Sequence, residues 1–311
     1  MKDADALSVK LGALSLRSPL IAASGTFGYG TDLVAISEHF RDDLRYLGAS
    51  VTKSLSLSPI AGNPMPRIIE TPCGMLNAIG LQNIGIDAFR DEKLPQALKL
   101  GVPIILSIFA RERRDFPKIA DKAEELRRHL AAIELNISCP NVQKGGLEFS
   151  SDPEEAYGVV AAVRERVSLP LFVKLSPNVT RIEEIAISVE RAQADGFTLI
   201  NSVLAMAVDI GRRKPSLANT YGGLSGPAIK PIALRMVHQV RRVSALPIIG
   251  VGGIMTASDV IEFMMVGAGG VQIGTANFCF GTRHFREIYK DLLRYLRREK
   301  VAKLSDITGI I

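Results

Sequence analysis

Residues 136–141 read Asn-Ile-Ser-Cys-Pro-Asn, directly after the apolar run Ala131-Ala132-Ile133-Glu134-Leu135. A strand ends there and hands its last residues to a loop that carries one thiol, Cys139, between Asn136 and Asn141. Pro140 locks its own φ and supplies no backbone donor, which stiffens that loop. A thiol with an ordinary pKa of about 8.5 can serve as a base near neutral pH without a histidine beside it. The competing role is a small buried hydrophobe, but a packing cysteine needs no flanking amides.

Two lysines raise a second chemical question. Lys53 and Lys174 each end a run that is otherwise apolar, and an ammonium buried there without a partner is costly. One use is a Schiff base, which would make the chain an aldolase. The other is a fixed positive charge beside an electron-accepting ring, where negative charge develops. The residues alone leave both open. Gly250-Val251-Gly252-Gly253-Ile254 and Gly274-Thr275-Ala276-Asn277 suit a phosphate, because bare backbone N–H groups can approach an anion closely. The first lacks the spacing and later acidic residue of a dinucleotide fingerprint. Each alone reads equally as a turn, and the pair favours a phosphorylated ligand.

These residues need a scaffold that brings them together. Short apolar runs predict strands at Pro19–Ala23, Tyr46–Lys53, Val102–Ile108, Ala132–Ile137, Leu169–Leu175, Phe197–Ser202, Pro247–Val251 and Gly270–Gly274. Helical periodicity fills the gaps at Asp87–Leu100, Phe116–Leu130, Asp152–Val167, Ile182–Ala194, Ala228–Val243 and Ala257–Val266. Regular alternation of this kind predicts an α/β fold, a (β/α)8 TIM barrel, over residues 1–311 as one domain. Val9 to Leu16, around Gly12, reads as an N-terminal hairpin closing the base. In such barrels chemistry sits at the C-terminal strand ends. Ser24-Gly25, Lys53-Ser54, Asn136 with Cys139, Lys174, Asn201-Ser202, Gly252-Gly253 and Gly274-Thr275 all fall there. Two long segments, Leu55 to Gly85 and Val203 to Pro227, predict binding loops at the same face. Within the first, Asn77 and Asn83 suit a planar ligand rich in carbonyls, or else cap turns.

Composition narrows the function classes. Hydrophobic residues make up 47% and charged residues 23% of the 311, which argues against disorder. No apolar run approaches the roughly 18 residues that span a bilayer, and the polar start, Met1 to Leu7, does not read as a secretory signal. Cys73, Cys139 and Cys279 are odd in number and far apart, fitting neither a disulfide framework nor a zinc site; a cytoplasmic location follows as the expectation. The net charge of +6 gathers near the C-terminus at Lys290, Arg294, Arg297, Arg298, Lys300 and Lys303, opposite Leu292, Leu293 and Leu296. That is a solvated helix face. Without interleaved aromatics it does not predict nucleic-acid binding.

Taken in order and spacing, the motifs resemble the dihydroorotate dehydrogenases over nearly the whole chain. The matching stretches are Ala23 to Gly28, Thr52-Lys53-Ser54, Asn77 to Asn83, Asn136 to Asn141, Lys174 to Asn178, Gly222 to Pro227 and Gly267 to Asn277. Cys139 resembles class 1, since the membrane-associated class carries serine there. Asn141-Val142-Gln143-Lys144-Gly145-Gly146 looks like the NAD-linked subclass 1B rather than the fumarate-using 1A. The resemblance implies FMN held by Ser24, Lys53, Ser54, Asn136, Lys174, Ile200, Gly226, Gly252, Gly253, Gly274 and Thr275. It implies substrate held by Lys53, Asn77, Ala78, Ile79, Gly80, Leu81, Asn136, Asn201 and Ser202, with Cys139 as base and Lys174 stabilising the reduced flavin. For subclass 1B it further implies a separate subunit carrying FAD and a [2Fe–2S] cluster, in a dimer of heterodimers; a 1A-like enzyme would be a homodimer. Two positions depart from the family pattern: Ser107 where asparagine often contacts the flavin, and Ser150 where glycine is usual.

Overall fold

In the computed structural model, which describes residues 3–31, 39–138 and 149–311, eight parallel strands close into a barrel in chain order. A hairpin of β1 (Val9–Leu11) and β2 (Leu14–Leu16) precedes them, pairing antiparallel. The barrel strands are β3 (Leu20–Ala22), β4 (Ala49–Val51), β7 (Ile104–Ile108), β8 (Ala132–Asn136), β9 (Leu171–Lys174), β10 (Gly196–Leu199), β15 (Ile248–Val251) and β16 (Gly270–Ile273). All eight predicted strands are present, each falling short of its predicted bounds by one to five residues, with β10 also beginning one residue earlier than expected. Both faces of such a sheet are covered, one by helices and one by the lumen, so the strands read as continuous apolar runs.

Helices cover the outside because parallel neighbours require a crossover. Helix Pro153–Arg164 starts where the Asp152 carboxylate accepts from the Glu154 and Glu155 N–H groups at 2.9 Å, with proline in the first turn. Helix Ala257–Met265 starts with a reciprocal Thr256–Asp259 capping box. The expected helix at Asp87–Leu100 is instead broken into Ile86–Ala88, a wide π turn at Phe89–Lys93, and Leu94–Leu98. Pro95 explains the break, since it offers no N–H to the carbonyl one turn back.

The lumen follows from the two-residue alternation of side chains along each strand. Ile105 and Ser107 share one face of β7, Ala132, Glu134 and Asn136 one face of β8, and Phe172 and Lys174 one face of β9. The lower residues of these rows pack with the hairpin: Val9, Leu11, Leu14 and Leu16 form one buried cluster with Ile21, Ala49, Val51, Ile105, Ala132, Phe172 and Ile249. Gly196 makes room for the Phe172 ring, which a Cβ there would meet at 2.5 Å. The upper residues are polar.

The two long segments are not plain loops. They pair into an antiparallel four-stranded sheet, ordered β11 (Val203–Met206), β14 (Tyr221–Ser225), β6 (Gly74–Asn77) and β5 (Ile68–Thr71), with a short ribbon of β12 (Val208–Asp209) and β13 (Lys214–Pro215) between β11 and β14 in the chain. Their partners lie far apart in the chain, Leu76 opposite Leu224 for example, so local pattern does not reveal the pairing. Leu76, Ala78 and Leu217 form its small buried cluster. Among the described residues no helix is long and apolar enough to cross a membrane. The helix Arg283–Glu299 buries His284, Phe285, Ile288, Leu292 and Leu296 and keeps its lysine and arginines outward.

Candidate active site

The upper lumen opens into a cavity of about 400 Å³ walled by the barrel mouth and the added sheet, a size usual for small-ligand sites. Lys53, Ser54, Asn136 and Lys174 project from the ends of β4, β8 and β9, with Ile200, Asn201 and Ser202 after β10. Asn77 comes from the added sheet and Ile79, Gly80 and Leu81 from the segment after it, and Ser24, Gly226, Gly252, Gly253, Gly274 and Thr275 complete the wall. Gly253 has φ 73°, and a Cβ there would lie 2.8 Å from the Gly226 carbonyl oxygen. Only glycine fits, and its absent side chain leaves backbone facing the cavity. Thr275 Oγ1 donates to Ser225 Oγ at 3.0 Å, bracing the neighbouring turn.

Hydrogen bonds fix the polar side chains before any ligand arrives. Asn136 Nδ2 donates to Ser54 Oγ at 3.1 Å, while its Oδ1 accepts from Ser138 N at 3.2 Å and Ser138 Oγ at 3.1 Å. Asn201 Nδ2 donates to Ser138 O at 3.0 Å and Ser138 Oγ at 2.9 Å, and its Oδ1 accepts from Ser202 N at 2.8 Å. The residue immediately before Cys139 is therefore tied to β8 and to the segment that follows β10. Cys139 itself lies outside the described residues, as do Asn141 and the 142–146 stretch. Lys174 is 7% exposed, and its ammonium lies 3.9 Å from the carboxylate of Glu134, which is fully buried.

The sequence of the whole chain decides the family. A profile described as dihydroorotate dehydrogenase matches residues 6–296. The chain belongs to the dihydroorotate dehydrogenase family. It is 49% identical over 307 residues to a protein of Geotalea uraniireducens named dihydroorotate dehydrogenase B (NAD(+)), catalytic subunit, covering 98% of both chains. Proteins of the same name from Geobacter sulfurreducens, 50% identical over 305 residues, and Trichlorobacter lovleyi, 49% over 306, are matched at 98% of both chains as well.

Against the residues that the dihydroorotate dehydrogenase resemblance implies, the structure gathers all the described ones around one cavity except Ala78. Ala78 is buried on the other side of the added sheet with Leu76 and Leu217, and both its backbone groups are engaged, with Arg67 O and Asn63 Nδ2. Asn83 proves to be a turn brace: its Oδ1 accepts from Ser56 N and Gly85 N, and its Nδ2 donates to Leu81 O. Ser150 is buried at the edge of the described residues.

Residue reasoning missed Glu134, Gln272 and Arg67. Arg67 lines the cavity with a guanidinium held by Gln82 Oε1 at 2.6 Å. Glu134 was hidden because it stands inside an apolar run; a carboxylate in the middle of a barrel strand was itself the signal. Ser107, whose departure from the family pattern left its role undefined, bridges Ser54 and Glu134.

Proposed function

We propose that this chain is a single FMN-binding barrel that oxidises dihydroorotate to orotate in pyrimidine biosynthesis. What supports the reading is the joint presence, in one cavity, of two lysines, convergent asparagine amides and a bare glycine turn, in a member of this family. The residues fit FMN: Gly252, Gly253, Gly274 and Thr275 offer backbone N–H groups to a phosphate, and Ser24, Ser54, Asn136, Ile200 and Gly226 border the space for the ring system.

Lys53 meets the substrate carboxylate as a point charge, while Asn77, Asn136, Asn201 and Ser202 hold the planar ring through carbonyl and N–H groups. The locked Asn136 and Asn201 amides orient it at no cost in reorganisation on binding. Cys139, as thiolate, takes the proton from carbon 5 as the hydride departs from carbon 6, and the electron pair of the C5–H bond forms the new double bond. Bound FMN supplies the two-electron acceptor for that hydride. Lys174 sets a fixed positive charge against the negative charge the acceptor gains.

The names of the relatives, catalytic subunit and NAD(+), support an enzyme of the NAD-linked subclass, and the scattered cysteines accord with a cytoplasmic setting. Electrons would then leave through a separate subunit carrying FAD and a [2Fe–2S] cluster, in a dimer of heterodimers. Anaerobic addition of dihydroorotate to the purified chain, followed through the oxidised-flavin absorbance, tests all of this. The expected result is bleaching that fumarate does not reverse and that NAD reverses only with the partner subunit present. Rapid recovery with fumarate would make it a homodimeric 1A-type enzyme. A colourless protein that cannot take up FMN, trapped instead by borohydride through Lys174, would make it an aldolase.

A further inference from the structure

Glu134 is fully buried one residue pair below the cavity floor, on the same face of β8 as Asn136. No step described above uses it. Its Oε1 accepts from Ser107 Oγ at 3.4 Å and lies 3.9 Å from Lys174 Nζ, and its Oε2 accepts from Gln272 Nε2 at 2.5 Å. Ser107 Oγ also shares a 2.8 Å hydrogen bond with Ser54 Oγ. Since the Ser107 proton is spent on the carboxylate, Ser54 must donate to Ser107, and Asn136 Nδ2 donates to Ser54 at 3.1 Å. Every dipole in this chain of residues from β8, through β4 and β7, points toward Glu134.

Facing this carboxylate is the Lys174 ammonium, itself buried. The dependence is mutual. Without Glu134 the buried ammonium would lose this partner, and a buried charge left unpaired swings toward water. The Gln272 amide oxygen, buried and without a partner among the described residues, cannot carry the charge in its place.

We propose that Glu134 is a positioning residue for flavin reduction: it holds the Lys174 ammonium in place at the cavity floor, and so sets how readily bound FMN accepts electrons. The inference rests on the FMN reading and assigns no contact between Glu134 and the flavin. Glu134→Gln conserves the shape and, once the Gln272 amide turns its unpartnered oxygen inward to accept, both hydrogen bonds, while deleting the charge.

The test compares FMN-loaded parent, Glu134→Gln, Lys174→Met and the double variant by the two-electron potential of the bound flavin and by the dissociation constant for sulfite, a probe of flavin electrophilicity. Glu134→Gln and Lys174→Met should each weaken sulfite binding about tenfold or more, and lower the potential by about 30 mV per factor of ten. The double variant should fall no further than Lys174→Met, because the two act as one unit. A structural role alone predicts parental potential and sulfite affinity in Glu134→Gln, and that result overturns the proposal; so does an unchanged potential in Lys174→Met. Should Glu134→Gln not fold, Glu134→Asp decides: drawing the carboxylate back by one methylene must weaken sulfite binding, and a parental value overturns the proposal. A parent that takes up no FMN would overturn the cofactor reading instead, so the two failures are distinct.

Discussion

The lower and upper halves of the barrel lumen are built on the same strands and the same alternation, yet they do opposite things. On β9 the inward residues are Phe172 and then Lys174; on β8 they are Ala132, then Glu134 and Asn136. Two residues of climb separate packing from chemistry. The lower half is dry and plugged by the hairpin, so its side chains contribute through dispersion and removal from water. The upper half contains buried polar groups whose partners are one another, which makes it a place where charges can be held ready. A clear division of labour follows: changes above should cost turnover, and changes below should cost stability.

The largest expected effect is above. Cys139→Ala should retain FMN and the parental melting temperature while losing about 10²- to 10⁴-fold in turnover at neutral pH, the usual contribution of a positioned base. Stopped-flow reduction of the flavin by dihydroorotate reads this directly. Unchanged turnover would remove Cys139 from the mechanism.

Below, Phe172→Ala should do the reverse. The ring is fully buried, and truncating such a residue costs about 3–5 kcal/mol. Chemical denaturation should show that loss, while turnover per folded, FMN-loaded molecule stays near parental. A variant that unfolds no more easily but turns over slowly would break the division between the halves.

How far this division can be read from sequence depends on the range of the interactions. The barrel was legible because each strand is a short apolar run and each helix a periodic one, both local signals, and Lys53, Asn136 and Lys174 announce themselves by standing at strand ends. The upper wall was less legible. Its added sheet pairs Gly223 with Asn77 and Ser225 with Met75, contacts that no window of neighbouring residues contains. Asn83 looked like a ligand contact because the residue type is right, yet its hydrogen bonds close the local turn at Leu81 and Gly85 and tie it to Ser56. Glu134 went the other way: surrounded by Ile133 and Leu135, it takes its meaning from Ser107, Lys174 and Gln272 on other strands.

A third prediction separates the lumen from acid sensitivity that has its origin elsewhere. His284 packs against Phe285 outside the lumen, and burial, partly opposed by the Gly281 carbonyl, pushes its pKa down to about 4. Between the ordinary value of about 6.5 and that lowered value, the unfolded chain takes up a proton that the folded one refuses. Stability therefore falls as pH drops through this window, by at most about 3 kcal/mol for the whole shift. His284→Leu should flatten the slope of unfolding free energy between pH 6.5 and 4. If the slope persists in that variant, the acid loss belongs to other groups.

The smallest expected effect lies at the boundary between the halves. Ser107 is fully buried, between Ile105 in the apolar cluster and the polar layer above. Its hydroxyl joins Ser54 to Glu134. Ser107→Ala removes two hydrogen bonds but leaves no charge unpaired, because Lys174 and Gln272 still face the carboxylate. The cost should be about 1 kcal/mol in stability, read from the urea midpoint, with a loss of FMN affinity below tenfold by flavin fluorescence. A boundary residue should register weakly in both measurements, whereas Cys139→Ala and Phe172→Ala each register strongly in one. A Ser107→Ala effect as large as either would mean that the two halves are coupled through the hydrogen-bonded layer and do not divide the work.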